Sequence, residues 1–477
     1  MQEKNKHRNT SVAGSSLYLF AAKFFPALAI FLAVLYCAHI LDTVEYARYQ
    51  NFWTQLIFLS AVACIGFPAF IITFSGATAA SLLREIAVKR YVLYLSLLIL
   101  LSLLFGALQY HYNGSSFAAS GIFFFLYAGI VLSDALLTAF RAYRWLIGIN
   151  LIYAGAFLLI HYLRASNGLT ALLPLLTTLL VLRLLLNVYR IRMLLITTSK
   201  SVVSQNDNKG KSARTLWLQL GINDIIQVFF RWIDKFIFSF ILADELFAVY
   251  TNATIEIAFL PLIFSAVSSA AIQHWAHQQE DKTVQGQIDL LHYASAILSS
   301  VVFPLFFFLF FFREEFLVTL FSEKYSSGVW IFACAQLVLP VRAYPFTALL
   351  QSHHRGDIIN KGALIDFLMA CVLMYPMYRL LGLPGVALAF VISTYWQAAY
   401  YLLSAARILQ VPALHLLPLR LLGQKLLLYA LLFGAAWWSL SQASLSRTAI
   451  FWSGMGILAL TGILSLAYEW KKNKKTT

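Results

Sequence analysis

The chain has 477 residues, of which 61% are hydrophobic and only 12% charged, a balance that excludes a soluble globular protein. Its formal net charge of +15 does not mark a nucleic-acid partner, because the basic residues form no patch. They collect in alternate loops between apolar runs, as in a membrane protein oriented by its positive charges.

Taken in order, the apolar runs predict about fourteen membrane-spanning helices, with roughly twenty residues each as the template. They fall near 14–40, 50–73, 91–109, 118–140, 145–163, 170–188, 215–242, 247–275, 289–312, 328–350, 359–378, 385–405, 421–441 and 448–469. The first run is full length and lacks a small-residue cleavage pattern, so no cleavable signal peptide is expected. Pro340 and Pro345 interrupt the tenth run, and Lys425 sits near the start of the thirteenth. The fold class is therefore all-α and polytopic. An even count puts both ends on one side, and that side holds about 24 of the 35 basic residues, so both termini are expected in the cytoplasm. No loop is long enough for a folded extramembrane domain. Cys37, Cys64, Cys334 and Cys371 all lie in apolar runs and read as small buried hydrophobes, not disulfides. Asn113-Gly114-Ser115 matches a glycosylation sequon, a weak three-residue signal.

The longest polar linker, 197–213, divides the chain near its middle. Across it runs an internal repeat. Ile40-Leu41, Tyr46-Ala47, Tyr49 and Asn51 match Ile241-Leu242, Phe247-Ala248, Tyr250 and Asn252 at a constant offset of 201. The expected organisation is an N-lobe of six helices (1–196), the cytoplasmic linker (197–213), a C-lobe of six helices (214–406) and two appended helices with a basic tail (407–477). The lobes would be parallel repeats about an axis along the membrane normal.

The seventh span carries a polar stripe. Asn223, Asp224, Gln227, Arg231, Asp234 and Lys235 fall within one arc of about 120° at helical spacing. A charge at the bilayer centre costs several kcal/mol unless paired or hydrated, so this stripe faces other helices or a water-filled path. It is either a substrate surface or an internal lock of two acids with two bases, Arg231 and Asp234 being three apart on one face.

Ser15-Ser16-Leu17-Tyr18 opens the first span, Leu41 to Tyr49 follows it, and Gly66-Phe67-Pro68 comes late in the second. Ile233-Asp234-Lys235 precedes Phe247-Ala248-Val249-Tyr250. With fourteen spans in two halves and an appended pair, the chain resembles the oligosaccharide-lipid flippases of the multidrug/oligosaccharidyl-lipid/polysaccharide exporter superfamily. The bacterial O-antigen and exopolysaccharide branch is the nearest in pattern, and the resemblance covers almost the whole chain. It implies a V-shaped inner-membrane transporter that moves undecaprenyl-diphosphate-linked oligosaccharide to the periplasmic leaflet by alternating access, with ion or proton coupling in some members. A polysaccharide polymerase is a candidate partner.

A diphosphate carried through a membrane calls for buried cations, and a glycan for hydrogen-bonding groups. Lys23, Arg231, Lys235 and Arg342 are the candidate cations, with Asn223 and Gln227 beside them. Lys23 lies three residues before Pro26 and corresponds to Asp224 under the repeat offset. Arg342 lies between two prolines, where a broken helix is expected. Arg342 contacts substrate or caps freed carbonyls. Lys23 lines the cavity or snorkels, and Arg183 is expected to snorkel. Asp134, Asp224, Asp234, Glu256 and Asp366 are the intramembrane acids. Asp224, Glu256 and Asp366 are the candidates for ion or proton coupling, the last two having no base nearby in sequence. His353-His354-Arg355 finds no further ligands, and no metal or cofactor is expected.

A cation-coupled multidrug antiporter of the same superfamily is the rival reading, but its usual form has twelve spans and an acidic centre. A membrane glycosyltransferase or O-antigen polymerase is less favoured, since such enzymes place an acid or metal in a substantial outer loop. A nucleotide-driven pump is excluded on this chain by the lack of a phosphate-binding glycine loop.

Overall fold

The structure, a computed structural model, describes residues 2–74, 76–85, 87–197, 209–255, 260, 263–264, 267–268, 271, 283–353 and 355–476. Among these the chain is all-helical, with no strand. It forms two compact units, 1–248 and 249–477. The first holds α1 (Gln2–Ile40), α2 (Thr43–Cys64), α3 (Phe67–Ile72), α4 (Gly76–Glu85), α5 (Val88–Asn113), α6 (Phe117–Ala139), α7 (Tyr143–Arg164), α8 (Gly168–Thr197) and α9 (Lys209–Ile241). Helix α10 (Asp244–Ala253) runs from the first into the second. The second holds α11 (Val284–Phe311), α12 (Arg313–Phe321), α13 (Val329–Gln336), α14 (Phe346–Ser352), α15 (Gly356–Leu381), α16 (Leu383–Leu409), α17 (Ala413–Leu416), α18 (Leu419–Gln442) and α19 (Arg447–Thr476).

Ten candidate spans among the described residues are long and apolar enough to cross a membrane, one of them a stretch from Tyr143 to Thr197 that contains both α7 and α8. Helices α2 and α9 fall outside the ten. Both carry polar residues along their length, and on α2 the residues Asn51, Thr54, Gln55 and Ser60 are buried. The run near 328–350 is broken. A 3₁₀ turn, Pro340–Ala343, separates α13 from α14. Pro340 and Pro345 each lack an amide proton and so end regular helix there.

In the first unit, α1 lies along α7, α6 lies between α5 and α8, and α9 packs on α2 and α3. Helix α2 stops at Ile65 and Gly66, both left-handed with φ of 44° and 64°. A Cβ on Gly66 would come within 2.0 Å of the Gly221 backbone of α9, so only glycine lets the two helices meet there. Trp217 of α9 donates to the Ile65 carbonyl that this break leaves free, at 2.8 Å. Phe58 stacks against Phe229 and Phe236 of α9, and a ladder of amides finishes the contact. Asn113 donates to Gln109 (2.5 Å), Gln109 to Gln55 (2.8 Å) and Gln55 to the Ser239 hydroxyl (3.1 Å). Asn113 and Ser115 of the sequon are 5% and 1% exposed, so no glycan can be attached there in the folded chain.

The repeat is visible in local structure. The first helix of each copy ends at residue 40 or 241, and the next begins at 43 or 244. Tyr46, Ala47, Tyr49 and Asn51 are buried, and so are Phe247, Ala248, Tyr250 and Asn252.

In the second unit, α15 packs along α16, and α11 is central, touching α13, α18 and α19. Gly454 of α19 sits on the rings of Phe308 and Phe312 of α11, which a Cβ would meet at 2.8–2.9 Å.

Candidate functional site

The charged residues inside the helices sort into three groups. The first is the α9 stripe. Gln227 and Arg231 are exposed, Lys235 is half-buried and Asp234 is buried. Asp234 pairs with Lys235 at 3.6 Å, and the Lys235 ammonium lies 5.7 Å from the Trp232 ring. Asn223 and Asp224 lie on the helix, but their side chains are outside the described residues, as is Glu256. Lys23 on α1 is exposed, while Ala22 beside it is buried against Leu137 and Leu146. Neighbours on a helix point about 100° apart, so Lys23 is turned away from that packed face.

The second group joins α6, α7 and α8. Arg183, expected to snorkel, is instead 7% exposed and held inside the first unit. One guanidinium nitrogen donates to Asp134 at 2.5 Å and to the Asn150 amide oxygen at 2.7 Å. Its plane lies over the Tyr153 ring at 4.5 Å. Asn187 donates to the other oxygen of Asp134 at 2.8 Å and to Ser133 at 3.0 Å. Snorkelling needs a free path to the surface, and the polar groups of α6 and α7 give Arg183 a nearer partner. The signal in sequence was the presence of Asp134 and Asn150 at matching depth on adjacent spans.

The third group is in the second unit. Asp366 on α15 is 2% exposed, with Ser393 of α16 hydrogen-bonding it and Arg342 within electrostatic reach. Arg342 itself is exposed, on the 3₁₀ turn. Asp366 thus has a base within electrostatic reach, Arg342 on the 3₁₀ turn, where the sequence shows none nearby. Lys425, near the start of α18, is 13% exposed and bonds Glu469 of α19 at 2.8 Å. It also donates to the Ala296 carbonyl and Ser300 of α11, both at 2.7 Å, and to Ser299 at 3.3 Å. Among the described residues no cluster of three His, Cys, Asp or Glu side chains is arranged to hold a metal.

Arg231, Lys23 and Arg342 are exposed, and Arg183 and Lys425 are enclosed by the partners named above.

A family model described as a polysaccharide biosynthesis protein matches residues 160–329. No curated protein matches the chain. Among solved structures, lipid II flippase MurJ in an inward closed conformation is similar, with a TM-score of 0.65 at 15% identity over 96% of this chain and 99% of that one. An inward-facing multidrug resistance transporter of the MATE family has a TM-score of 0.57 at 15% identity, over 83% of this chain and 98% of that one. A MOP superfamily transporter from Pyrococcus furiosus, described as having reversed polarity in its binding pocket, gives 0.53 at 15% identity over 83% and 94%.

Proposed function

We propose that this chain, which carries the fold of the multidrug/oligosaccharidyl-lipid/polysaccharide exporter superfamily, is a flippase for lipid-linked oligosaccharides. The observation that carries the reading is the match to a lipid II flippase along 96% of the chain and 99% of that structure, where the drug transporter spans 83% of this chain. The family model described as polysaccharide biosynthesis points the same way. The substrate is an undecaprenyl-diphosphate-linked repeat unit for O-antigen or exopolysaccharide, moved from the cytoplasmic to the periplasmic leaflet of the bacterial inner membrane. A polymerase that consumes the flipped unit is the expected partner.

Two six-helix lobes, 1–196 and 214–406, would alternate access around the linker 197–213, with 407–477 appended and both termini cytoplasmic. Lys23, Arg231 and Arg342 would hold the diphosphate, an anion that calls for cations along its path through the membrane. Arg231 and Arg342 can bind phosphate oxygens in a fork, and Lys23 acts as a point charge. Lys235, Asn223 and Gln227 complete the substrate side. Asp366, with Glu256 and Asp224, is the group for ion or proton coupling.

Deleting the gene and identifying the lipid-linked intermediates that build up tests this reading. Accumulation of an undecaprenyl-diphosphate glycan on the cytoplasmic leaflet is the expected result. Unchanged glycan lipids with increased sensitivity to organic cations would establish the multidrug antiporter instead. Lys23→Ala and Arg231→Ala should reach the membrane at wild-type levels and fail to restore export.

A further inference from the structure

Proline at position 26 leaves one carbonyl of α1 without its helical partner. It has no amide proton to give the carbonyl four residues earlier, which is that of Ala22. In a spanning helix such a group must be satisfied by protein. The amide nitrogen of Asn150, on α7, donates to the Ala22 oxygen at 2.8 Å. Asn150 is 5% exposed, and its oxygen accepts from Arg183 at 2.7 Å. A carbonyl only accepts and a guanidinium only donates, so the two contacts fix the amide orientation. Arg183 is held in turn by Asp134, and Asp134 by Asn187.

We propose that Asn150 is a positioning residue: it replaces the backbone bond that Pro26 removes and, anchored by Arg183 and Asp134, sets the orientation of the α1 turn that carries Lys23. The chemistry at this position is demanding. It needs one donor toward α1 and one acceptor toward Arg183, at the reach of a two-carbon side chain. Aspartate keeps the second contact and loses the first. Leucine loses both. Since Ala22 is buried and Lys23 is exposed, a small rotation of this turn changes where the ammonium group points. The importance of that direction for transport rests on the flippase reading; the positioning itself does not.

The test reads orientation without substrate. In a chain with its four cysteines replaced by alanine, Lys23→Cys is labelled in native membranes with a charged thiol reagent. Labelling rates are compared in the parent, Asn150→Asp, Pro26→Ala and the combined Pro26→Ala/Asn150→Asp chains. Asn150→Asp should shift the rate by roughly fivefold, the equilibrium weight of one hydrogen bond. Pro26→Ala gives Ala22 a backbone partner again, so adding Asn150→Asp to it should leave the rate within about twofold, well under one hydrogen bond's weight. If Asn150→Asp fails to accumulate, rescue of its membrane level by Pro26→Ala supports the proposal equally. An unchanged rate in an accumulating Asn150→Asp, or an effect of Asn150→Asp that persists undiminished after Pro26→Ala, overturns it. Normal export by Lys23→Ala alongside the expected labelling pattern would remove the flippase role of Lys23 while leaving the positioning role standing.

Discussion

Each compact unit contains a buried ion pair, and the two pairs are built to different ends. In the first unit, Arg183 and Asp134 are 8% and 27% exposed and are surrounded by asparagine amides. Amides donate and accept at once, so the polarity runs onward, through Asn150 to the backbone of α1. In the second unit, Lys425 and Glu469 are 13% and 6% exposed and are surrounded by serines. Ser299 and Ser300 return their own protons to the Ala296 carbonyl, which Lys425 also bonds, so the network closes within one turn of α11. A network that closes on itself can only fasten helices together. One that continues can transmit the position of one helix to another. The difference is set by residue type, asparagine against serine, more than by charge.

The largest effect should come from opening the closed network. Glu469→Ala leaves the Lys425 ammonium buried, which costs about 3–5 kcal/mol for a pair this enclosed. The variant should lose most of its folded yield, read by fluorescence-detected size exclusion. Lys425→Met with Glu469→Leu should recover it, because an apolar pair of similar volume is often as stable as the ions it replaces. Failure of the double variant to recover would mean that the ions do more than fasten α18 and α19 to α11.

Arg183→Met should cost less, about 1–3 kcal/mol, since Asp134 retains some contact with its surroundings and a bond from Asn187. Arg183→Met with Asp134→Leu should restore accumulation and not glycan export, because Asn150 has lost its anchor. Recovery of both together would make the two networks equivalent, and the contrast between them would fail.

The helices were legible in the sequence because a span needs a run of apolar residues whatever it packs against. The broken tenth span was legible too, from Pro340 and Pro345. The charged residues were harder, since their roles depend on which helices are neighbours. Arg183 looked like a surface base because its partner, Asp134, is 49 residues away in the chain, and the partner of Lys425, Glu469, is 44 residues away. Gly66 was legible as part of a motif, but its reason lies in the backbone of Gly221 on another helix. Asn150 gave no periodic signal at all. Its role appears only when the carbonyl freed by Pro26 is traced to its partner.

A smaller effect separates packed glycines from lipid-facing ones in the second unit. Gly454→Ala must push the rings of Phe308 and Phe312 aside and should cost about 1–3 kcal/mol. Gly456→Ala, two residues on, meets nothing within 4 Å and should be neutral or stabilising by up to about 1 kcal/mol. Thermal unfolding of the two variants in detergent should therefore move in opposite directions. Equal losses would show that the exposed face of α19 is covered by something other than lipid.

The smallest effect belongs to the other end of the same helix. Arg447 bonds Glu314 at 3.0 Å and also Glu323, so α19 is tied at both ends, but here the three side chains are about half exposed or more, at 49%, 51% and 64%. Water competes for each of these charges, and ordering three long side chains costs entropy, so the net worth of such a cluster is below about 1 kcal/mol. Arg447→Gln should lower the unfolding temperature slightly in dilute buffer, and the difference should fade in molar salt as the Debye length shrinks to about 3 Å. The Lys425–Glu469 pair, sealed from solvent, should show no such salt dependence. If removing Arg447 instead destabilised the protein as strongly as removing Glu469, and did so at every salt concentration, then this end of α19 would be enclosed by a neighbouring molecule in the membrane, and both ends of the helix would be locks of the same kind.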